Sequence, residues 1–297
     1  MQLAGVGDNV IDRYRDLGLA FPGGQALNVA VHARRIGVES AYVGAVGDDG
    51  AGRHVLASIH AEQVDASHVR VVPGPNAWAD VGLVEGNREF LGGDPGVSCF
   101  ELSDQDLRFL ESVDVIHSSE SSYLEGQLDS LASAAPLSFD FSIRREGAYL
   151  DPILPYVTIA EFSLADLGDD DALAWIEQVH RAGPRLVLAT RGPSDAFLSD
   201  GRRVWRQPPN PTNVVDTLGA GDAFIAHVLV GFLRDEPFEV SLASAAQAAA
   251  TTCSSYGAFG HGIEDVQSEP GTANQLSLIH ISEPTRPRRQ SRLAASG

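Results

Sequence analysis

The chain has 297 residues, of which 43% are hydrophobic and 21% are charged, and this composition is typical of a globular protein with a substantial core. The formal net charge of −19 argues against nucleic acid or an anionic membrane surface as the main partner. No apolar run approaches the roughly 18 residues that span a bilayer, and the N-terminus lacks the pattern of a secretory leader. We therefore expect a cytoplasmic protein with no membrane partner, in which Cys99 and Cys253 stay reduced.

The chain contains no lysine, so all 21 basic residues are arginine. A lysine-dependent phosphate loop and Schiff-base chemistry are therefore both excluded. Any phosphate group must be held by backbone N–H groups, by arginine or by a metal ion.

The N-terminal part alternates short apolar strands with amphipathic helices. Residues 2–7 form a predicted buried strand, and a helix is predicted over 25–36, where apolar residues recur at helical spacing and Gly37 provides a stop. A second strand over 41–46 leads into another helix that ends near Gln63. This alternation favours a parallel sheet that is covered by helices.

The strand pattern then changes. Residues 69–92 contain two strand-like runs and, at 85–88, a hairpin turn before a third run. Because no helix intervenes, we predict a small antiparallel sheet, formed by strands from about 10–22 and 69–92, that is inserted in the α/β core.

The alternation of strands and helices returns after residue 100. Ser103 is a predicted helix N-cap, because Asp106 follows three residues later. The remaining predicted elements are strands at 113–117, 137–141, 156–160, 185–190, 195–199 and 203–206, and a helix at 238–255.

The last segment differs in composition from the rest of the chain. Residues 273–297 contain four arginines against a single acid, Glu283, and follow no periodic pattern. The run from Leu278 to Pro287 resembles translated vector sequence, so we assign the domain to 1–272 and leave the tail out of the functional argument. The alternative is a native disordered basic tail.

The densest chemical signal is the run Asp-Thr-Leu-Gly-Ala-Gly-Asp at 216–222. It follows a strand-like Val214-Val215 and leads into a predicted helix that ends near Arg234. A helix start leaves N–H groups without intrahelical partners, and the positive end of the helix dipole lies there, so such a start suits an anion.

Phosphoryl transfer to an alcohol requires an anion hole beside an ionised carboxylate. The backbone N–H groups of Gly219, Ala220 and Gly221 can bind the charge of the moving phosphoryl group. Asp222, in the first turn, is favoured in its ionised form and can take the hydroxyl proton. The alternative for these four residues alone is an ordinary glycine turn with a first-turn acid.

The full seven-residue run resembles the C-terminal signature of the ribokinase/PfkB family of carbohydrate kinases, and the resemblance spans about residues 2–260. It implies a ribokinase-like three-layer α/β/α sandwich with a mostly parallel sheet and a small antiparallel β lid. It also implies an ATP-dependent kinase with Asp222 as the catalytic base, and with ATP and Mg²⁺ as cofactors. A requirement for a monovalent cation stays open.

Residues 7–12 and 21–30 resemble the N-terminal half of the same family. The resemblance implies that Asp12, Gly23, Gly24 and Asn28 bind sugar hydroxyls. A carboxylate accepts two hydroxyl protons, an amide supplies a donor and an acceptor, and glycines admit a close backbone approach. Gln25 departs from the Asn or Lys that often follows the glycine pair.

On the nucleotide side, residues 186–192 resemble the strand and loop that lie under the phosphates in this family. The nucleotide-binding residues that the resemblance implies are Thr190, Gly192, Thr217, Gly219 and Gly221. Arg191 stands where the family usually has an apolar residue, and we add it as a further expected phosphate contact. The magnesium element of the family is degenerate at 163–166, where Asp166 is the candidate carboxylate for a water-bridged ion. The alternative for Asp166 is a helix-cap acid.

Within the family, the runs at 7–14, 23–31 and 138–142 look most like those of fructoselysine 6-kinases, which implies a ketose joined to an amine, an Amadori product, as the substrate. The alternatives are a kinase for fructose, ribose, 2-keto-3-deoxygluconate or a nucleoside, and a non-catalytic sugar or nucleotide sensor on the same fold. A lid whose open edge pairs with that of a second subunit would make a homodimer.

Overall fold

The computed structural model describes residues 1–84 and 87–265. The predicted tail at 273–297 and positions 85–86 of the predicted hairpin turn therefore lie outside the described residues. Among the described helices, none has both the length and the apolar content that a bilayer span requires. Cys99 and Cys253 both carry free thiols.

Strands and helices alternate over most of the described chain. In chain order, the strands are β1 (Gln2–Val6), β2 (Val10–Tyr14), β3 (Leu19–Gly23), β4 (Glu39–Gly47), β5 (Asp65–Val72), β6 (Trp78–Val84), β7 (Asn87–Asp94), β8 (Val115–Ser119), β9 (Leu137–Asp140), β10 (Ile159–Ser163), β11 (Leu186–Thr190), β12 (Ala196–Ser199), β13 (Val204–Gln207) and β14 (Ile263–Glu264). The helices are α1 (Gln25–Arg35), α2 (Gly50–Ala61), α3 (Asp104–Leu110), α4 (Leu128–Ala134), α5 (Gly147–Leu150), α6 (Asp169–Arg181), α7 (Ala220–Leu233) and α8 (Phe238–Thr252).

The main sheet has nine strands in the order β13-β12-β11-β10-β9-β8-β1-β4-β5. Pairing is parallel from β11 through to β5, and β12 and β13 add an antiparallel edge. All these parallel strands therefore end at the same edge of the sheet, where ligands bind in open α/β folds. The predicted three-layer α/β/α architecture is confirmed.

Helices cover both faces of this sheet. Helices α1, α7 and α8 pack on one face in a core that includes Leu3, Phe224 and Leu242, and α3, α4 and α6 pack on the other face. Gly5 of β1 allows α1 to lie very close to the sheet, because a Cβ atom at Gly5 would stand 2.1 Å from the carbonyl oxygen of Ala26. This close packing sets the height of α1 above the carboxyl ends of the strands.

A second, smaller sheet, with strand order β14-β3-β2-β6-β7, is the sheet that was predicted to serve as a lid. Its pairs are antiparallel except for β2 and β6, which run parallel. Residues 69–72, predicted for this lid, instead belong to β5 and pair in parallel with β4 of the main sheet. The prediction was wrong because strand propensity identifies an extended segment but does not determine which strand it pairs with. Here the helical crossover α2 returns the chain to the side of β4, so these residues pair with β4.

Three predicted strand positions differ from the structure. Val214 and Val215 are not a strand but an exposed irregular segment, in which the N–H of Val215 donates to the carbonyl oxygen of Cys253 at 2.8 Å. Strands β8 and β10 begin two or three residues later than predicted. In the second case Pro155 lies in a 3₁₀ turn that occupies the start of the predicted strand. The predicted cap at Ser103 is confirmed as a full capping box with Asp106.

Candidate active site

Two helix starts meet at the carboxyl edge of the main sheet. Asn28 of α1 donates a hydrogen bond from Nδ2 to Oδ2 of Asp222 of α7 at 2.6 Å, which joins residues 194 positions apart in the chain. Strands β1, β8 and β9, parallel neighbours, end beside these helices. The structure therefore brings together the two halves of the site that the sequence places far apart.

The start of α7 is shaped by one glycine. Gly219 is the N-cap residue with φ 75°, and a Cβ atom there would stand 2.4 Å from Cβ of Ala258. Ala220 donates its N–H to the carbonyl oxygen of Thr217 at 3.3 Å, so one of the three predicted anion-hole donors is engaged. Within residues 1–84 and 87–265, no acceptor is bonded to the N–H of Gly219 or of Gly221. These two N–H groups lie within one turn of the Asp222 carboxylate, which is 8% exposed.

The predicted sugar-side residues lie where the lid meets α1. Asp12 of β2 is buried, and Gly23 leaves room for it, because a Cβ atom at Gly23 would stand 2.3 Å from Oδ2 of Asp12. Gly24 is the N-cap of α1 with φ 109°, and a Cβ atom there would stand 2.6 Å from Cα of Asn9. Both glycines therefore have steric reasons to be glycine in addition to any ligand contact.

The side-chain amide of Asn28 has one polar atom with a hydrogen-bond partner and one without. The side chain is 3% exposed, and its Oδ1 atom is buried without a hydrogen-bond partner, while Nδ2 is bonded to Asp222. A buried acceptor without a donor costs about 1–3 kcal/mol, so a ligand donor at this position would relieve that cost.

Asp8 fills the start of α1. Its carboxylate accepts hydrogen bonds from the N–H groups of Gln25 at 2.7 Å and Ala26 at 3.1 Å, and from the hydroxyls of Ser119 and Ser122. No role for Asp8 was predicted from the sequence. The signal was a carboxylate just after the first strand, but its partners lie as far as 114 residues away in the chain.

Asp140, at the end of β9, was also missed. It lies beside Ser119 of β8 in register, and its Oδ2 atom accepts a hydrogen bond from Nε2 of Gln25 at 2.7 Å. Burial raises the pKa of the Asp140 carboxyl to about 8, and the charges of Asp222, Glu120 and Asp8 add to the increase. The same effect of burial raises the pKa of Glu120 above its usual range. Gln25, noted as a departure from the family, is thus the residue that joins α1 to β9.

A buried polar row lies in the sheet below this edge. Ser138 donates its hydroxyl proton to Oε1 of Glu161 at 2.7 Å and accepts a hydrogen bond from Nδ1 of His117 at 2.8 Å. Burial lowers the pKa of His117 to about 3 and raises the pKa of Glu161 well above its usual range. His117 is therefore neutral near pH 7, and the row places no positive charge next to Asp140.

The nucleotide-side residues divide into two groups. Thr190 and Gly192 lie at the end of β11 and Thr217 lies in the exposed loop before α7, all on the carboxyl edge. Arg191, by contrast, is 4% exposed, and its guanidinium donates to Oδ1 of Asp169 at 2.9 Å and to the carbonyl oxygens of Asp195 and Leu167. Arg191 therefore braces the loop from within, and we leave it out of the phosphate contacts proposed below.

The described residues offer no ready-made metal centre. Within residues 1–84 and 87–265, no three Asp, Glu, His or Cys side chains are grouped closely enough to hold a metal ion. Asp166 is mostly exposed and forms an ion pair with Nη2 of Arg145 at 2.6 Å. These residues do not fit a metal ion bound by protein groups alone, which is consistent with the habit of Mg²⁺ of keeping its waters and binding mainly to phosphate oxygens.

Comparisons with known proteins agree with this geometry. The profile of the "pfkB family carbohydrate kinase" matches residues 19–263. The fructosamine kinase FrlD of Bacillus subtilis (strain 168) is 41% identical over 284 residues, which cover 94% of this chain and 100% of that protein. The fructoselysine 6-kinase of Escherichia coli (strain K12) is 33% identical, with 86% and 99% covered.

Solved structures show the same fold at lower identity. The ribokinase of Arabidopsis thaliana, complexed with ribose and ATP, has a TM-score of 0.73 at 20% identity and covers 87% of this chain and 94% of its own. The ribokinase of Thermotoga maritima has a TM-score of 0.72 at 19% identity, with 89% and 97% covered.

Proposed function

Because the chain belongs to the pfkB family of carbohydrate kinases, we propose that it is an ATP-dependent kinase that phosphorylates a primary hydroxyl of a fructosamine, with fructoselysine or a similar Amadori product as the substrate. The observation that carries the proposal is the contact between Asn28 and Asp222 at the open start of α7. In the proposal, Asn28 is the sugar-side amide, and Asp222 is the carboxylate next to the backbone donors for a phosphoryl group.

In the proposed reaction Asp222 is the catalytic base. The hydroxyl oxygen of the sugar attacks the γ-phosphorus of ATP, its proton passes to the Asp222 carboxylate, and the bond to the β-phosphate oxygen breaks to release ADP. A positioned base of this kind contributes about 10²–10⁴-fold to the rate. Asn28 donates to one oxygen of Asp222 and so holds the carboxylate in a fixed orientation.

The N–H groups of Gly219 and Gly221 are the proposed anion hole. They are not used within the described chain, and they lie at the positive end of α7. Negative charge that develops on the transferred phosphoryl group is stabilised there by donors that are already oriented. Since the chain has no lysine, these backbone donors carry a role that a side-chain ammonium cannot fill.

The sugar and the nucleotide approach from opposite sides of Asp222. Asp12 and Asn28 supply acceptors to the sugar hydroxyls, and Gly23 and Gly24 let the sugar lie against the backbone. Thr190, Gly192 and Thr217 line the nucleotide side at the ends of β11 and of the loop before α7. Mg²⁺ would accompany the nucleotide phosphates and supply charge neutralisation there.

The lid sheet covers the sugar side and excludes water, which otherwise competes as an acceptor for the phosphoryl group. Strand β7 is an edge of this sheet, and Phe90 and Leu91 on it are exposed. We propose that a second copy of the chain pairs with this edge, which gives a homodimer. Sedimentation of the protein and of a Leu91→Asp variant tests the pairing, since a monomeric wild-type protein would contradict it.

The test of the proposed function is ADP release across a panel of acceptors. Fructoselysine is expected to have the largest kcat/KM, followed by fructose, while ribose, 2-keto-3-deoxygluconate and nucleosides are expected to be poor. If another acceptor is the best and fructoselysine is inert, the substrate assignment is wrong. If no acceptor yields ADP although sugar and nucleotide bind, the protein is a sensor on a kinase fold.

A further inference from the structure

Besides Asp12, four carboxylates lie around the predicted sugar site, and three of these four have a visible compensating group. Asp8 accepts the N–H groups at the start of α1, Asp222 stands in the first turn of α7, and Glu120 has Nη1 of Arg144 at 4.0 Å. Asp140 lies at the end of strand β9 and not at a helix start. In residues 1–84 and 87–265, no arginine or histidine nitrogen lies within ion-pair distance of its oxygens.

Asp140 is nevertheless held in one orientation. Nε2 of Gln25 donates to its Oδ2 at 2.7 Å, and the N–H of Ser142 donates to its Oδ1 at 2.8 Å. Asp140 is 7% exposed, close to the 8% of Asp222. An oriented carboxylate without a counter-charge is suited to a cationic ligand.

The buried amide of Asn28 points to the same kind of ligand. Its Oδ1 atom has no partner, and it belongs to the amide group that contacts Asp222. The site thus presents acceptors and negative charge, and it calls for a ligand that brings several donors and a positive charge. The absence of three grouped metal-ligating side chains among the described residues argues against a protein-bound divalent ion as that charge. A polyhydroxylated ammonium satisfies both requirements.

We propose that Asp140, oriented by Gln25, is the specificity-determining carboxylate that receives the protonated amine nitrogen of the sugar–amine substrate. The inference rests on the proposed function and deepens it, because it separates amine-bearing ketoses from neutral ones. Gln25 is a positioning residue in this account. It explains why a glutamine follows the glycine pair here, since its side chain spans from the start of α1 to the end of β9.

The electrostatics of the free protein supports this assignment. Asp140 faces Asp8 at the end of β1, Glu120 after β8, Glu161 on β10 and Asp222 on α7, and none of them supplies positive charge. Burial and these neighbours raise the pKa of Asp140 to about 8, so a proton neutralises it near pH 7. A bound ammonium replaces that proton. Binding of the amine substrate therefore releases a proton below pH 8 and becomes tighter, by up to about tenfold per pH unit, as pH rises toward 8.

The decisive experiment compares two acceptors on the wild type and on Asp140→Asn. One acceptor is fructoselysine and the other is its analogue with an ether oxygen in place of the amine nitrogen. For fructoselysine, the substitution is expected to lower kcat/KM by about ten- to a hundredfold, mainly through KM, because a hydrogen bond to a charged group is lost. For the ether analogue the change is expected to stay below about threefold, because that acceptor carries no charge.

Equal losses on both acceptors would overturn the inference, because they would show a general role in phosphoryl transfer. No loss on fructoselysine would overturn it as well. If the wild type itself fails to phosphorylate fructoselysine, the proposed function fails, and the failure is seen without any variant. Asp171→Asn, an exposed carboxylate on α6, is the matched control and is expected to leave both acceptors unchanged.

Two further measurements separate recognition from structure. Gln25→Met removes the donor to Asp140 at similar side-chain length, and it is expected to weaken fructoselysine selectively by a smaller factor. The KM of the wild type for fructoselysine is expected to fall as pH rises toward 8, and this slope is expected to vanish in Asp140→Asn. A slope that persists in the variant would assign the titration to another group and overturn the role of Asp140.

Discussion

The starts of helices α1 and α7 meet at the same edge of the sheet but are completed differently. At α1, the carboxylate of Asp8 accepts the N–H groups of Gln25 and Ala26. At α7, no side chain caps the helix, and the N–H groups of Gly219 and Gly221 are bonded to no acceptor among residues 1–84 and 87–265. Both helix starts attract an anion, but only one is already satisfied by the protein.

The difference teaches which of two similar motifs is suited to catalysis. A helix start that is filled by the protein's own carboxylate is fixed in place and serves as a rigid support. A helix start that is left open can receive an anion that arrives with the substrate. Asn28 links the two, since it extends from the rigid helix to Asp222 of the open one. Breaking either start, or the link, is expected to give distinct results.

The largest expected effect follows from Asp222→Asn. Loss of the proposed base is expected to reduce kcat by about 10²–10⁴-fold, because the substrate hydroxyl then has no positioned proton acceptor. The open start of α7 remains, so nucleotide binding is expected to change little. ADP release and the nucleotide Kd measure the two quantities separately. A variant with near wild-type turnover would remove Asp222 from the mechanism.

The second effect follows from Gly219→Ala at the open start. A side chain with φ 75° costs about 1–2 kcal/mol, and the new Cβ would collide with Ala258, so the start of α7 must move. Turnover is expected to fall by about a hundredfold, as for the loss of one oxyanion donor, together with a lower Tm.

Gly201→Ala is the matched control for strain alone. Gly201 has φ 80°, lies in the β12–β13 hairpin at the opposite edge of the sheet, and its Cβ would meet no atom closer than 3.6 Å. Gly201→Ala is expected to lower Tm, because a side chain at this positive φ is strained, and to leave kcat unchanged. If Gly219→Ala behaves the same way, the shape of the open start does not matter for catalysis.

The third effect follows from Asp8→Asn at the filled start. One carboxylate oxygen becomes an amide that faces N–H donors, which is expected to cost about 1–3 kcal/mol in the free energy of unfolding. Because α1 carries Asn28, kcat/KM is also expected to fall by about tenfold or more. Urea denaturation and steady-state kinetics measure the two changes.

Asp49→Asn gives the comparison for a helix cap outside the site. Asp49 caps α2 by accepting the N–H of Gly52 at 2.8 Å. Asp49→Asn is expected to lower the free energy of unfolding by a similar amount and to leave kcat/KM unchanged. If Asp8→Asn also leaves kcat/KM unchanged, the rigid-support role of α1 is contradicted.

Local patterns in the sequence were sufficient for much of the fold. Apolar spacing and the glycine at 37 predicted α1 within one residue of its observed end, and the Asp216–Asp222 run predicted the start of α7. Helix α6 was not predicted, although three aspartates in its first turn and buried residues at 172, 176 and 179 are a clear signal. The segment 69–72 was placed in the wrong sheet because partner choice depends on the crossover and not on the strand itself.

Site residues could be predicted where a local motif carries the function. They could not be predicted where the function depends on contacts between residues that are far apart in the chain. Asp222, Asp12 and Asn28 were named from motifs, and their roles stay predictions. Asp8 and Asp140 depend on contacts with Ser122 and Gln25 that only the folded chain creates. Arg191 was expected at the phosphates because of its position, but the sequence could not show that Asp169 takes its guanidinium.

The last expected effect concerns Asp140, which is positioned by Gln25 of α1 and is close enough to Asp222 of α7 to feel its charge. Its folded-state pKa of about 8 lies above its ordinary value, so the folded protein binds a proton that the unfolded chain has lost between about pH 4 and 8. The free energy of unfolding is therefore expected to fall with rising pH in that window, by at most about 1.4 kcal/mol per pH unit from this group. Asp140→Asn is expected to match the wild type near pH 4 and to exceed it near pH 8, since the amide never ionises. His117 titrates in both proteins and cancels in the comparison, whereas Asp140→Asn also removes one cause of the raised pKa of Glu161, so the difference between the two urea-denaturation profiles reports Asp140 together with this coupling. Parallel profiles would mean that a positive charge already compensates the Asp140 carboxylate in the folded protein. The view of Asp140 as a carboxylate without a counter-charge would then be wrong.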